Sequence, residues 1–122
     1  MKKIILASVL TTVALTSMVD ANAATSGVVC AAPTSAGNGT IVIGTTGEMV
    51  VTAFTPKCSA KGHMVYDQGT AYFRVGSVNE AGSRSFRGST AGGSVTSEAT
   101  CTTCNSAVAN TALTSTNNPT SG

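Results

Sequence analysis

The sequence predicts an all-β protein: a small antiparallel β-sandwich or barrel-like domain with disulfides, following a cleaved signal peptide. Three observations carry this expectation. Short runs rich in Val, Thr and Ile alternate with Gly-, Asn- and Pro-containing turns, at the roughly 8–12-residue spacing of antiparallel sheets. Beyond the leader, no window long enough for an amphipathic helix keeps a 3.6-residue apolar period. Four cysteines follow a leader of secretory layout.

The leader has three parts. Met1-Lys2-Lys3 is a positive start, residues 4–15 are an apolar and hydroxyl run, and Ala21-Asn22-Ala23 is a small-x-small cleavage site. That order defines a secretory signal peptide over residues 1–23. An uncleaved signal anchor competes with it, but the run falls short of the about 20 apolar residues that span a bilayer. No second hydrophobic stretch follows, so no membrane span is expected. Cys30 comes after Gly27-Val28-Val29 rather than a Leu-small-small box, which argues against a lipid anchor. Cleavage after Ala23 leaves residues 24–122, read as a single β domain over 24–113 and a flexible polar tail over 114–122. The expected destination is secreted, extracellular or cell-surface, with the periplasm as transit or alternative.

Cleavage removes Lys2, Lys3 and Asp20. Lys57, Lys61, Arg74, Arg84 and Arg87 then face Glu48, Asp67, Glu80 and Glu98, five minus four, or +1. Nucleic-acid binding needs a dense basic footprint, and this balance supplies none. With no Trp and only five aromatics (Tyr 2, Phe 3), the core must be thin. Small domains of this kind commonly compensate with disulfides.

The strands follow in order. Residues 27–32 (GVVCAA) form a small apolar strand ended by Pro33. Residues 40–44 (TIVIG) and 48–54 (EMVVTAF) flank Thr45-Thr46-Gly47 as a hairpin. Alternation puts Ile41 and Ile43 opposite Val42, and Met49 and Val51 opposite Val50. Both faces are apolar, so this hairpin is expected to be central or covered on both sides. A second hairpin joins 62–67 to 70–78 around Gln68-Gly69, with His63, Val65 and Asp67 on one face and Met64 and Tyr66 on the other. In its second arm Phe73 and Val75 are expected to point inward. Asn79-Glu80-Ala81-Gly82 is the next turn. Residues 83–90 (SRSFRGST) are polar enough for an edge strand, and Gly92-Gly93 separates them from 94–101. Residues 107–113 are compatible with a helical turn, a strand or a loop.

Cys30, Cys58, Cys101 and Cys104 allow three pairings. The favoured one closes Cys101 on Cys104 and leaves Cys30 with Cys58. A Cys-x-x-Cys pair also occurs in thiol redox enzymes, but here it follows a Ser/Thr/Gly-rich β segment with no βαβ pattern. Zinc sites of four cysteines use two close pairs, and Cys30 and Cys58 are isolated. A disulfide between subunits is the remaining alternative. No cofactor or metal is expected.

Catalytic signals are sparse. His63 is the single histidine, and a triad with Asp67 lacks a nucleophile context. Glu48, Glu80 and Glu98 are widely separated, and no Gly-rich loop precedes a helix. The expectation is a protein that is not an enzyme. Arg84, Phe86 and Arg87 form the one local cluster with binding character. Arginines beside an aromatic can dock an acidic or sugar-phosphate surface, such as an envelope or surface partner, whereas the plain reading is a charge-protected edge.

The composition is similar to that of fimbrial subunits, although the chain lacks the alternating apolar closing strand of chaperone–usher pilins. The expected function is therefore a bacterial structural subunit that self-associates into an extracellular or cell-surface fibre through strand pairing. A monomeric binding or inhibitor module is the alternative, and a small secreted enzyme the least favoured.

Overall fold

A computed structural model describes residues 25–92 and 94–121; the leader and its cleavage site lie outside them. The described chain is mostly β, with antiparallel sheets and one short helix. Its strands are β1 (Thr25–Ala31), β2 (Gly37–Asn38), β3 (Lys57–Cys58), β4 (Gly62–Gln68), β5 (Phe73–Asn79), β6 (Arg84–Ser89) and β7 (Thr96–Thr100), followed by α1 (Ser106–Thr114). Five strands make one sheet in the order β1-β4-β5-β6-β7, and β2 pairs with β3 alone. The expected sandwich or barrel is not established: the described residues form a five-stranded open sheet and a separate two-stranded one, with different material on the two faces of the larger.

The β4–β5 hairpin is the frame of that sheet. Gly69 N–H donates to Tyr72 C=O at 2.9 Å and closes the turn, with Gln68 opposite Phe73. The pleat then sorts the side chains as their alternation predicts. Met64, Tyr66, Phe73 and Val75 join one core with Val29, Cys30, Val42, Val50 and Cys58. Val65 and Val78 join the other, with Cys104, Ala109 and Leu113. At the following turn Gly82 N–H donates to Asn79 C=O, and Asn79 Oδ1 accepts from Ala81 N–H.

Strand β1 reaches the first core by an irregularity. Val28 opposes Val65 and Cys30 opposes Met64, so Val29 is the extra residue of a bulge. A regular strand would send Val29 and Cys30 to opposite faces. The bulge lets both join the same core, and Val29 C=O accepts from Thr40 N–H at 2.8 Å.

The expected 40–54 hairpin is present as a turn without a regular ladder. Thr45 N–H donates to Val50 C=O, and Val42 and Phe54 form an isolated bridge. Gln68, with 0% exposure, replaces the missing rungs. Its Nε2 donates to Ile43 C=O at 2.8 Å, and its Oε1 accepts from Val50 N–H at 3.1 Å. The hairpin is neither central nor covered on both sides. Val42 is buried, but Ile43 and Val51 are 54% and 65% exposed. Replacing Gln68 by Leu should cost about 2–4 kcal/mol, because two backbone groups lose partners. Urea unfolding measures it, and a loss below about 1 kcal/mol would mean those groups find other partners.

The opposite face carries α1. Asn105 caps it, with Oδ1 accepting from Ala107 N–H and Val108 N–H at 3.0 and 3.3 Å. Ala109, Ala112 and Leu113 are its buried residues, spaced as one helix face. The small alanines let the helix settle close to the sheet at Gly76. This helix departs from the all-β expectation, and residue 113 falls inside its last turn rather than at a domain end.

The segment read as a polar tail has a polar anchor. Asn118 is 1% exposed, and its Nδ2 donates to Leu113 C=O at 3.0 Å and Val75 C=O at 3.2 Å. Ser89 Oγ donates to Pro119 C=O at 2.6 Å. One amide thus ties the helix end, β5 and the last residues together.

Candidate functional site

Cys30 pairs with Cys58 and Cys101 with Cys104, at Cα separations of 5.7 and 5.3 Å. The first clips β1 to β3 inside the core that holds Val29 and Tyr66. The second joins the end of β7 to the residue before the helix cap. Disulfides persist in oxidising compartments, and two of them are consistent with one. Among the described residues no helix is long and apolar enough to cross a membrane. No group of three His, Cys, Asp or Glu side chains there is arranged to hold a metal ion.

The arginine cluster is divided by the sheet. Phe86 lies opposite Ser77 and Arg87 opposite Gly76, so alternation puts Arg84 and Phe86 on one face and Arg87 on the helix face. Nor is β6 an edge, because it lies between β5 and β7. Arg87 pairs with Glu98 through Nε and donates through a terminal nitrogen to Asn117 C=O. The Ser115 hydroxyl, followed by Arg87, holds the Glu98 carboxyl below its usual range. Arg84 and the 44%-exposed Phe86 remain on the surface.

His63 and Asp67 share the helix face and engage different partners. His63 Nε2 meets Glu80 at 3.0 Å. Asp67 Oδ2 accepts from Arg74 Nε and a terminal Arg74 nitrogen at 2.9 and 2.7 Å, and from the Tyr72 hydroxyl at 3.2 Å. Burial, and then the Asp67 charge, raises the Tyr72 phenol above its ordinary value. Beside this network a groove of about 420 Å³ runs between β1, β4 and α1, with Val28, Val65 and Leu113 in its wall.

Two surfaces stand out beyond those read from the sequence. One is the outer edge of β7, which has a strand partner only on its β6 side among the described residues. The other is the set of exposed apolar side chains on the 40–54 segment, Ile41, Ile43, Met49 and Val51. Their apolar alternation was legible; their exposure depends on what covers each side chain, which alternation does not encode. Gln68, Glu48 and Asn118 are buried polar residues whose roles depend on partners distant in the chain. Comparison with known protein families, curated proteins and solved structures returns no match. The fold and these surfaces define a class: a small, mostly β, disulfide-clipped domain with an open sheet and one helix on it.

Proposed function

We propose that this chain is an exported structural subunit that self-associates into an extracellular or cell-surface fibre by pairing strands between copies. The observation that carries the reading is the outer edge of β7, which has no strand partner among the described residues. An open antiparallel sheet presents unpaired N–H and C=O groups there, and a strand from another copy satisfies them. The exposed side chains of Ile41, Ile43, Met49 and Val51 add apolar surface for a neighbour to cover. The role proposed is mechanical rather than enzymatic.

Thr100 gives a selective test. Ala99 N–H and Cys101 N–H point inward, to Ser85 Oγ and Ser83 C=O, so alternation turns Thr100 N–H outward. Thr100→Pro removes an outward donor and spares the inward bonds. The purified chain should form ordered polymers by negative-stain microscopy as concentration rises, and Thr100→Pro should suppress them with the monomer's melting point little changed. A native chain that stays strictly monomeric by light scattering, across concentration and redox state, rejects the reading. Polymers undiminished by Thr100→Pro reject this edge as the junction.

A further inference from the structure

We propose that Asn38 is a site of spontaneous covalent modification. Its amide is converted to a carboxylate through a cyclic imide closed by the Gly39 nitrogen, and the Lys57 ammonium stabilises the charge that develops on the amide oxygen. The inference is independent of fibre formation and of the leader.

Asn38-Gly39 is the single Asn-Gly pair in the chain. Ring closure brings the nitrogen of the following residue onto the side-chain carbonyl carbon, and a β-carbon on that residue obstructs the approach; glycine has none. Packing also requires glycine here. A β-carbon at Gly39 would lie 2.7 Å from both Cys58 Sγ and the Val29 carbonyl oxygen, so the reactive dipeptide comes with the seat beside the Cys30–Cys58 bridge. Asn38 is paired with Lys57 across β2 and β3, and both residues are exposed. Lys57 Nζ donates to Asn38 Oδ1. A cation on that oxygen draws electrons from the carbonyl carbon and meets the negative charge that attack places there, as donors do in acyl transfer. Once the acid has formed as aspartate, the same ammonium faces a carboxylate.

The other described asparagines lack this combination. Asn79 is held at both ends of its amide, by Ala60 C=O and Ala81 N–H. Asn105 caps α1, Asn110 lies within it, and Asn118 is buried. Asn117 is followed by Asn118 rather than by glycine.

One restraint slows the reaction. Gly39 N–H donates to Pro56 C=O at 2.8 Å, which keeps the nucleophile occupied. β2 and β3 pair through two residues each, so this bond opens by local rather than global unfolding. Each opening frees the nitrogen. It loses its proton to solvent base and bonds to Asn38 Cγ, the Cγ–Nδ2 bond breaks, and ammonia leaves. Water then opens the ring, its hydroxyl going to a ring carbonyl carbon and a proton to the Gly39 nitrogen. Cleavage at Cγ gives aspartate; cleavage at the backbone carbonyl gives isoaspartate.

Peptide mapping by mass spectrometry of the folded chain, incubated at mildly alkaline pH, follows conversion at each asparagine. Asn38 should convert ahead of every other one, to a mixture of aspartate and isoaspartate. Lys57→Gln should slow it about threefold, the scale of an exposed charge contact, and Lys57→Arg should restore most of the rate. Hydrogen exchange at Gly39 N–H reports opening in each chain, so any change in opening is divided out. In urea with both bridges reduced, native and Lys57→Gln chains should convert at one rate, because the contact with Lys57 depends on the fold. Another asparagine converting first overturns the proposal. So does a folded Lys57→Gln chain whose rate, corrected for opening, equals the native one. A stable cross-link between Lys57 Nζ and Asn38 in place of the acid would make Lys57 the nucleophile and overturns it as well.

Discussion

Gly76→Ala should lower the melting point by about 15 °C and release α1 from the sheet. A β-carbon at this position would lie 2.1 Å from Ala109 C=O and 2.6 Å from Leu113 N. Both are helix backbone atoms, so no rotamer change relieves the contact. Overpacking a core commonly costs about 1–3 kcal/mol, and a clash with backbone belongs at the top of that range. For a domain of this size about 3 kcal/mol corresponds to the stated shift. The residue also lies between Val65 on β4 and Arg87 on β6, so a displaced helix uncovers the second core. Gly37→Ala is the matched control, since nothing lies within 4 Å of its added carbon, and its effect should stay within about 0.5 kcal/mol. Circular dichroism melts measure both. A Gly76→Ala chain that melts within 2–3 °C of the parent would overturn the close packing of the helix backbone on Gly76.

Removing the Cys30–Cys58 bridge should cost more than removing Cys101–Cys104. The partners are 28 residues apart in the first and 3 in the second. Loop-closure entropy then gives about 3–4 kcal/mol against about 2 kcal/mol. Packing reinforces the order, because Cys30 and Cys58 are both 4% exposed and belong to the core with Val29, Val42 and Tyr66. Urea unfolding of the two paired Cys→Ala variants gives the ranking. Equal losses, or a larger one at Cys101–Cys104, would overturn the ranking by loop length and packing.

Much of the sheet could be read from local chemistry. The β4–β5 hairpin follows from alternation and a Gly-containing turn, and the Asn79–Gly82 turn from an Asn whose side chain bonds its own backbone. These features depend on residues a few positions apart. β6 was harder, because polar composition describes a strand's solvent exposure and not its number of neighbours. It has two neighbours, and the next strand outward, β7, is equally polar. The separation of Arg87 from Arg84 and Phe86 was within reach, since it needs only the pleat applied to consecutive residues. The helix was not. At nine residues it is shorter than a window that reveals a 3.6-residue period, and its buried face is two alanines and one leucine, too few large side chains to mark a helix. Gln68, Glu48 and Asn118 were illegible for a different reason. Each is buried and makes at least one hydrogen bond to a segment far along the chain, and composition alone places such residues at the surface.

The strand order has a consequence for how the chain assembles. β4, β5, β6 and β7 are consecutive in sequence and adjacent in space, linked by short connections at residues 69–72, 80–83 and 90–95. Such a meander rests on contacts local enough to form early. β1 is different: residues 32–61 separate it from β4, the only strand of the main sheet it touches. A polypeptide threaded through a membrane with its N-terminus leading would deliver β1 first, and the strand that receives it, β4, only after residues 32–61 have followed. The foremost segment therefore waits, unpaired, until β4 follows it, and the pairing it then makes closes a long loop rather than a tight turn.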